Sequence, residues 1–313
     1  MLLLFSFVFA GLVYNHCISH YGVNEYIQVY DGYGDIQHTI NARQFKCSYT
    51  GSFLFDEFNK FIKVAKNTQE RITFLNRLSH FAIKPIENSL IDLTINNKTH
   101  SFKTGESGQV QITSLQPPHL VSSADSNATS YTLDKPILII SDIDDTIKIA
   151  NVSQPWEAIR RLFISPFEPF QDVLFKYKQW QSNASFVYLS AGFKQSYSFL
   201  KPDLELYFPP GPLILRKFGK ETTFDYKFRM ATQLLTTTAS SRVVLIGDAT
   251  QKDAFVYAAL YKRYPHRICK IYIRLISNAK QQLQAVVHAL NQVPQDMVQF
   301  FTDAAILPNT INC

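Results

Sequence analysis

Apolar and polar positions change period several times along this chain. Residues 24 to 50 alternate: Tyr26-Ile27-Gln28-Val29-Tyr30, a Gly-rich turn, then Gln37 to Phe45, the period-2 pattern of paired strands. From 54 to 82 the period lengthens. Phe55, Phe58, Phe61, Ile62, Ile72, Leu75, Leu78 and Phe81 recur at helical spacing, which predicts one or two amphipathic helices whose aromatic stripe faces a core. Alternation returns at Leu90 to Ile95, His100 to Thr104 and Gln109 to Ile112, with Asn96-Asn97 and Gly105 to Gly108 as turns. Pro117-Pro118 and the Ser-, Asn- and Asp-rich stretch Ser122 to Ser130 read as a turn-rich connection, so residues 20–134 are expected to form a small β-rich domain with a helical insertion.

After Lys135 short apolar runs alternate with helical patterns. Strands are predicted at 137–142, 185–190, 212–216, 242–247 and 268–274, and helices around 154–181, near 194–200, at 225–237 and at 251–264. Such alternation predicts an α/β domain over 135–313, a parallel sheet with helices on both faces. Length alone, 313 residues, is consistent with two domains.

The first of these strands carries the chemistry. Ile137-Leu138-Ile139-Ile140-Ser141 runs directly into Asp142-Ile143-Asp144-Asp145-Thr146, three carboxylates and a hydroxyl at the carboxyl end of a buried strand, where open α/β folds bind ligands. Crowded carboxylates raise one another's pKa unless a cation neutralises them, and a hard, oxygen-seeking divalent ion such as Mg2+ suits that role. About one hundred residues on, Val243-Val244-Leu245-Ile246-Gly247-Asp248 repeats the pattern and continues to Asp253. Between them Phe186-Val187-Tyr188-Leu189-Ser190 ends in a hydroxyl, and Lys227 falls in the helix before the Asp248 strand, where it competes with Lys217 and Lys220 for a cationic role.

The order Asp-x-Asp-x-Thr, strand-Ser, Lys, strand-Gly-Asp-x4-Asp resembles the four signatures of the haloacid dehalogenase-like phosphotransferases. The segments Ser141 to Ile147, Pro210 to Arg216, Leu245 to Asp253 and Lys270 to Arg274 are similar to the phosphatidate phosphatase family typified by the fungal actin patch protein. Tyr30-Asp31-Gly32-Tyr33-Gly34 with Asn41-Ala42-Arg43 is similar to the region preceding the catalytic domain in its bacterial members. One motif departs: the family shows Ser-x-Ser-Pro-Trp after the second strand, and this chain has Ser190-Ala191-Gly192-Phe193.

The resemblance implies a haloacid dehalogenase-like (Rossmannoid) parallel sheet with a minimal cap and a Mg2+-dependent phosphatase working through an aspartyl-phosphate. Asp142 would be the nucleophile and Asp144 the acid and base, with Asp144 also giving its backbone carbonyl to the metal. Thr146 would hydrogen-bond Asp144, Ser190 would bind the phosphate, and Lys227 would neutralise nucleophile and transferred group. Asp142, Asp144, Asp248 and Asp253 would form the metal shell. Asp145 is expected to cap the following helix. Arg216 and Arg274, at strand ends, fit either a second anionic group or surface ion pairs. The implied substrate is phosphatidate, hydrolysed to diacylglycerol and phosphate; a broad-specificity phosphomonoesterase and an inactive membrane- or protein-binding module are the alternatives.

Spacing bears on substrate size. Thr146 and Ser190 lie 44 positions apart and Ser190 and Lys227 lie 37 apart, which leaves little room for a folded cap and predicts an open site. Phe163, Ile164, Phe167, Phe170 and Phe193 would then either rest against a bilayer, as a peripheral membrane contact, or pack in the helix-sheet core. Charge is uneven: residues 1–134 carry 10 Lys+Arg against 11 Asp+Glu, and 135–313 carry 21 against 14, so the phosphate-handling half is the basic one. With no long basic run, zinc-ligand spacing or aromatic-basic ribonucleoprotein motif, nucleic acid is not an expected partner.

Leu2 to Val13 is an apolar run of signal-peptide length without a positive flank. It predicts cleavage near Ser19 and a secreted or periplasmic protein, the alternatives being a buried first strand and a cytoplasmic location. Cys17, Cys47, Cys269 and Cys313 are too scattered for a disulfide framework, although a Cys47–Cys313 pair is compatible with export.

Overall fold

The structure is a computed structural model, and it describes Cys17 and residues 26–34, 38–47, 67–81, 83–114, 120–217, 219, 221–238, 242–276, 280–311 and 313. The apolar run Leu2 to Val13, the Ser19 cleavage point and the helical pattern of 54–66 lie outside the described residues. No helix among the described residues is long and apolar enough to cross a membrane.

The first half is an eight-stranded sheet built of β1 (Tyr26–Gly34), β2 (His38–Cys47), β3 (Ile83–Pro85), β4 (Leu90–Ile95), β5 (Lys98–Lys103), β6 (Gln109–Ser114), β7 (Leu120–Ser122) and β8 (Asn127–Thr132), in the order β3-β2-β1-β8-β7-β4-β5 with β6 on β2. Pairing is antiparallel except for β1 with β8. Its core is small: Val29, Ala42, Ile91, Leu93, Val110, Val121 and Ala128. The Ser122 to Ser130 stretch, expected as a connection, carries β8 and the turn before it. The reason is local: Ser123 and Ser126 hydroxyls donate to the Ile27 carbonyl and tie the turn to β1, while β8 buries just Ala128 among its six residues and so shows no apolar run.

The second half holds six parallel strands: β9 (Ile137–Ser141), β10 (Ala184–Phe193), β11 (Leu213–Arg216), β12 (Arg242–Asp248), β13 (Ile268–Arg274) and β14 (Val298–Phe301), ordered β11-β10-β9-β12-β13-β14. β9 shows why. Ile137 and Ile139 face one helix layer with Tyr177, Trp180 and Leu204, while Leu138 and Ile140 face the other with Leu234, Val256 and Leu260. Both faces of the pleat are therefore apolar, each buried side chain worth roughly 2 kcal/mol. The chain winds outward from β9 to β10 and β11, then returns to β9's other side with β12, so Asp142 and Asp248 emerge from adjacent strands at the switch point.

Helices α1 (Thr68–Ser79), α2 (Pro155–Phe163), α3 (Gln171–Trp180), α4 (Tyr197–Tyr207), α5 (Thr223–Thr237), α6 (Asp253–Arg263) and α7 (Lys280–Ala289) follow the predicted alternation, with α7 and β14 added beyond it. α1 starts at Asn67, whose side chain accepts from the Glu70 amide. It lies on α2: the Arg77 guanidinium donates to the Leu162 and Ser165 carbonyls at 3.0 and 2.7 Å, and Phe74 meets Phe163. A second tie is ionic, the buried Asp31 carboxylate of β1 taking Lys201 of α4 at 2.7 Å and the Leu213 amide at 3.0 Å.

Two expectations are corrected and one choice is decided. Phe163, Ile164 and Phe167 are buried and Phe170 packs on the core, the second of the two placements expected for them. Arg274 is buried, its guanidinium on Asp172 at 2.6 Å and on the Thr302 carbonyl, and so belongs to neither a surface pair nor an anion site. Cys313 pairs with Cys269, not Cys47, because the C-terminal tail crosses back over the sheet, where Trp180 donates to the Pro308 carbonyl; Cys17 is disulfide-bonded as well.

Candidate active site

Asp142 extends β9 by one residue, its amide donating to the Ile246 carbonyl of β12. Beyond it the chain turns sharply, with the Ile143 carbonyl accepting from the amides of Thr146, Ile147 and Lys148. Asp145 makes that turn. It sits at φ 61, and its carboxylate accepts from the amides of Ala150, Asn151 and Val152 at 2.7 to 2.9 Å. It thus braces the loop under the site rather than capping a helix, correcting the expectation. A carboxylate is needed here because three converging N–H groups would otherwise be buried without acceptors.

The centre of the site is the Lys227 ammonium. Its helix α5 begins at Thr222, whose hydroxyl accepts from the Asp225 amide and donates to the Asp225 carboxylate, and this cap fixes the first turn from which Lys227 reaches inward. Lys227 Nζ lies 2.8 Å from Asp142 Oδ1 and is paired also with Asp253 Oδ1, all three side chains buried. Asp253, at the start of α6, accepts the Asp248 amide through its other oxygen at 3.2 Å. Gly247 permits this approach: a Cβ there would stand 2.5 to 2.7 Å from Asp253 side-chain atoms.

Asp248 ends β12. Its Oδ1 accepts from the Thr250 and Gln251 amides at 2.6 and 3.0 Å and from the Thr250 hydroxyl, while its Oδ2 is buried with no hydrogen-bond partner. Oxygens of Asp142, Asp248 and Asp253 lie within 4.8 Å of one another. Three buried carboxylates facing one lysine leave negative charge unbalanced, and burial makes that imbalance costly. Burial raises Asp142 well above the ordinary carboxylate range, with Asp253 and Asp248 adding to the rise against Lys227, and burial and Asp253 push Asp248 up to about 7. Burial disfavours the Lys227 ammonium, but Asp142 and Asp253 outweigh it and hold the proton on. An orphan carboxylate oxygen amid surplus negative charge and all-oxygen donors fits a hard divalent cation.

Of the residues singled out from the sequence, Asp142, Thr146, Lys227, Asp248 and Asp253 come together, whereas Lys217 is exposed away from the cluster. Two roles shift. Thr146 points its hydroxyl at Asp142 Oδ2, 3.5 Å away, and not at Asp144. Asp144 turns its carboxylate out of the cluster onto Lys148 at 2.9 Å, leaving its carbonyl facing inward. Ser190 is buried two positions beyond Tyr188, the β10 partner of Ser141, with its Oγ accepting from the Gly192 amide, and it makes no contact with the carboxylates among the described residues. Gln251 escaped the sequence reading. Its amide nitrogen bridges Asp142 Oδ2 at 3.2 Å and the Asp144 carbonyl at 3.0 Å, and its position between Asp248 and Asp253 was the available signal.

The titrations set a sign. Asp248 in the folded chain keeps its proton to about pH 7, whereas the unfolded chain loses it near 3.8, so above about pH 4 folding requires proton uptake and stability falls as pH rises to about 7. In the presence of chelator, the urea midpoint should therefore drop across that window. The drop should shrink in Asp248→Asn and on adding Mg2+. A midpoint indifferent to pH in chelator would contradict this electrostatic account.

Residues 137–275 match the family model described as phosphatidate phosphatase APP1, catalytic domain. In the curated comparison, phosphatidate phosphatase APP1 of Saccharomyces cerevisiae is 26% identical over 180 residues, covering 52% of this chain and 31% of that protein, so the match spans about a third of the relative's length. Among solved structures, a carbohydrate acetylesterase from Xanthomonas citri aligns at 9% identity over 84% of this chain and 72% of its own with a TM-score of 0.25, and a ferredoxin-NADP+ reductase from Plasmodium falciparum at 8% over 88% and 95% with 0.18, overlaps too weak to carry an argument. The segment that builds the six-stranded sheet's first five strands and the whole carboxylate cluster is thus the one matched by the phosphatidate phosphatase APP1 catalytic-domain family, as its motifs led us to expect.

Proposed function

We propose that the chain is a Mg2+-dependent phosphatase of haloacid dehalogenase-like fold that hydrolyses phosphatidate to diacylglycerol and phosphate. The observation that carries the reading is the buried Lys227 joined to Asp142 at the switch point, because binding alone has no use for a carboxylate at a strand end with an ammonium set against the burial that would protonate it. Asp142, Asp248, Asp253 and the Asp144 carbonyl would hold the ion, which supplies charge neutralisation for the phosphoryl oxygens.

An Asp142 oxygen attacks phosphorus in line as the bond to the leaving oxygen breaks, and Asp144, protonated and swung from Lys148 to the leaving oxygen, gives that oxygen a proton. Water then attacks the phosphoenzyme, Asp144 takes the water's proton, and phosphate leaves with Asp142 restored. Lys227, together with the ion, would hold Asp142 anionic against its burial, and Thr146 orients its second oxygen. Gln251 links the nucleophile to the Asp144 backbone, fixing the spacing of the two.

The leaving-group side supports a lipid. Asp144 lines a cleft of about 200 Å³ whose walls are mostly apolar, including Val152, Ile159, Leu162, Phe193 and Phe199, with Arg77, Lys148 and Arg161 among them. The neutral, apolar diacylglycerol released beside Asp144 would enter a cleft whose walls are apolar to match, the cations at its edge being engaged, Lys148 with Asp144 and Arg161 with Glu157 and Glu168. Export accompanies this reading, supported by the Cys269–Cys313 bond, which suits an oxidising compartment.

Asp142→Asn and Asp144→Asn should each lower turnover of phosphatidate about a thousandfold or more with the fold retained, and chelator should abolish it reversibly. Asp142→Asn keeping more than about one per cent of activity would sink the covalent mechanism. Filling the cleft with Ile159→Trp should lower the ratio of catalytic efficiency on dioleoyl to dibutyryl phosphatidate about tenfold, some 1.4 kcal/mol. An unchanged ratio would remove the cleft from substrate binding. Intact mass of the native protein should show Met1 to about Ser19 absent; a chain recovered from cytosol with Met1 in place would refute export.

A further inference from the structure

A second cavity, of about 280 Å³, lies between the β-rich domain and the β11 edge of the parallel sheet, and none of the clustered carboxylates lines it. Tyr30 and Gln109 enter it from the first domain, Lys194, Lys217 and Arg229 from the second. Two carboxylates also reach it, and both are engaged. Asp31 holds Lys201 and the Leu213 amide, and Glu221 takes the Arg229 guanidinium through both oxygens at 2.9 Å.

That leaves cations over. Among the described residues Lys194 and Lys217 form no ion pair, and the Lys194 ammonium stands 4.7 Å from the Tyr30 ring centroid, over its face. A ring face is a weaker counterpart than an anion. Across the cavity wall, Gln109 Nε2 is buried with no hydrogen-bond partner. Unsatisfied donors in a roomy polar pocket are the complement of an oxyanion, which accepts from several at once. Burial, with Lys217, Arg43 and Arg229 nearby, pushes the Lys194 ammonium down to about 7, a penalty on its charge that an anion in the cavity would relieve.

We propose that this cavity is a second, non-catalytic site for a phosphate-type oxyanion, held by Lys194, Lys217 and the Gln109 amide. Because its donors come from both domains, the bound anion fastens them together. Anion occupancy is then coupled to how firmly the β-rich domain sits beside the sheet edge. The ligand class is inorganic phosphate or a phosphate carried on a larger molecule, and it needs none of the Asp142 chemistry.

The test is thermal unfolding of the whole protein in chelator, with inorganic phosphate compared to chloride at equal ionic strength. Wild type should gain stability with phosphate beyond the chloride control. Lys194→Met should unfold at a higher temperature than wild type in chloride, having lost an unpaired charge, and should lose at least about half of the phosphate increment; Lys194→Arg should keep it. Gln109→Leu gives the same reading should the lysine variant not fold. Vesicles of phosphatidylcholine carrying phosphatidate separate the sources: an increment that Lys194→Met removes there identifies a lipid headgroup, and one seen with dissolved phosphate alone identifies a free anion. An increment equal in wild type, Lys194→Met and Gln109→Leu, or matched by chloride, overturns the site. Since neither residue touches the carboxylate cluster, that result would leave the phosphatase reading standing, and loss of phosphatase activity alone would leave this one.

Discussion

The Lys227 ammonium is held between Asp142 and Asp253 in the interior of the parallel domain, and the geometry of the site follows from that triad. An ammonium out of water needs anionic partners, and two carboxylates so close need a cation. β9, α5 and α6 each contribute one member, so the three elements meet correctly when the charges do. Gly247 has to be glycine for Asp253 to reach its place, and the Thr222 cap has to start α5 in register for Lys227 to reach its own. Replacing the triad by hydrocarbon would cost such a core little. Its retention in the interior therefore has a source other than stability, and the surplus negative charge beside it, with the orphan Asp248 Oδ2, leaves a place for a metal ion.

The parallel domain was legible because both faces of its strands are buried: runs such as Val243 to Ile246 have no amphipathic ambiguity, and each ends in a residue with work to do. β14 was missed because Val-Gln-Phe-Phe is short and partly exposed, an edge strand with half the signal. β8 was missed for a related reason, its single buried alanine. At the site, residue types at strand ends revealed which side chains converge but not which way each points. Asp144 and Asp145 follow Asp142 in one run, yet one faces Lys148 and the other the loop amides, since the turn after Ile143 breaks the alternation that would have placed Asp144 beside Asp142. Gln251 was invisible for the opposite reason. A glutamine carries no charge and fits any surface, so its bridging role exists just in three dimensions.

The end of β10 and the residues just after it separate the apolar cleft from the basic cavity. Gly192, Phe193 and Ser196 line the apolar cleft beside Asp144, and Lys194 and Tyr197 line the basic cavity on the other side. Arg216 lies over the Phe193 ring and Lys194 over the Tyr30 ring, so two cation–ring contacts pin the wall from opposite directions. This wall is where the sequence leaves the family's Ser-x-Ser-Pro-Trp pattern. With Gly192 in place of the second hydroxyl, the Ser190 Oγ has a backbone amide for its neighbour and no side-chain partner competing for it, and a Cβ at 192 would come within 3.2 Å of that oxygen. Ser190 thereby stays oriented by the main chain, while Phe193, held by Arg216, stands at the position of the Pro and Lys194 at that of the Trp. Because Tyr30 packs edge-on against Tyr197, the β-rich domain is the body against which the wall rests. The first domain reaches the apolar cleft by two routes, this wall and Arg77 of α1, and among the described residues it contributes none to the carboxylate cluster.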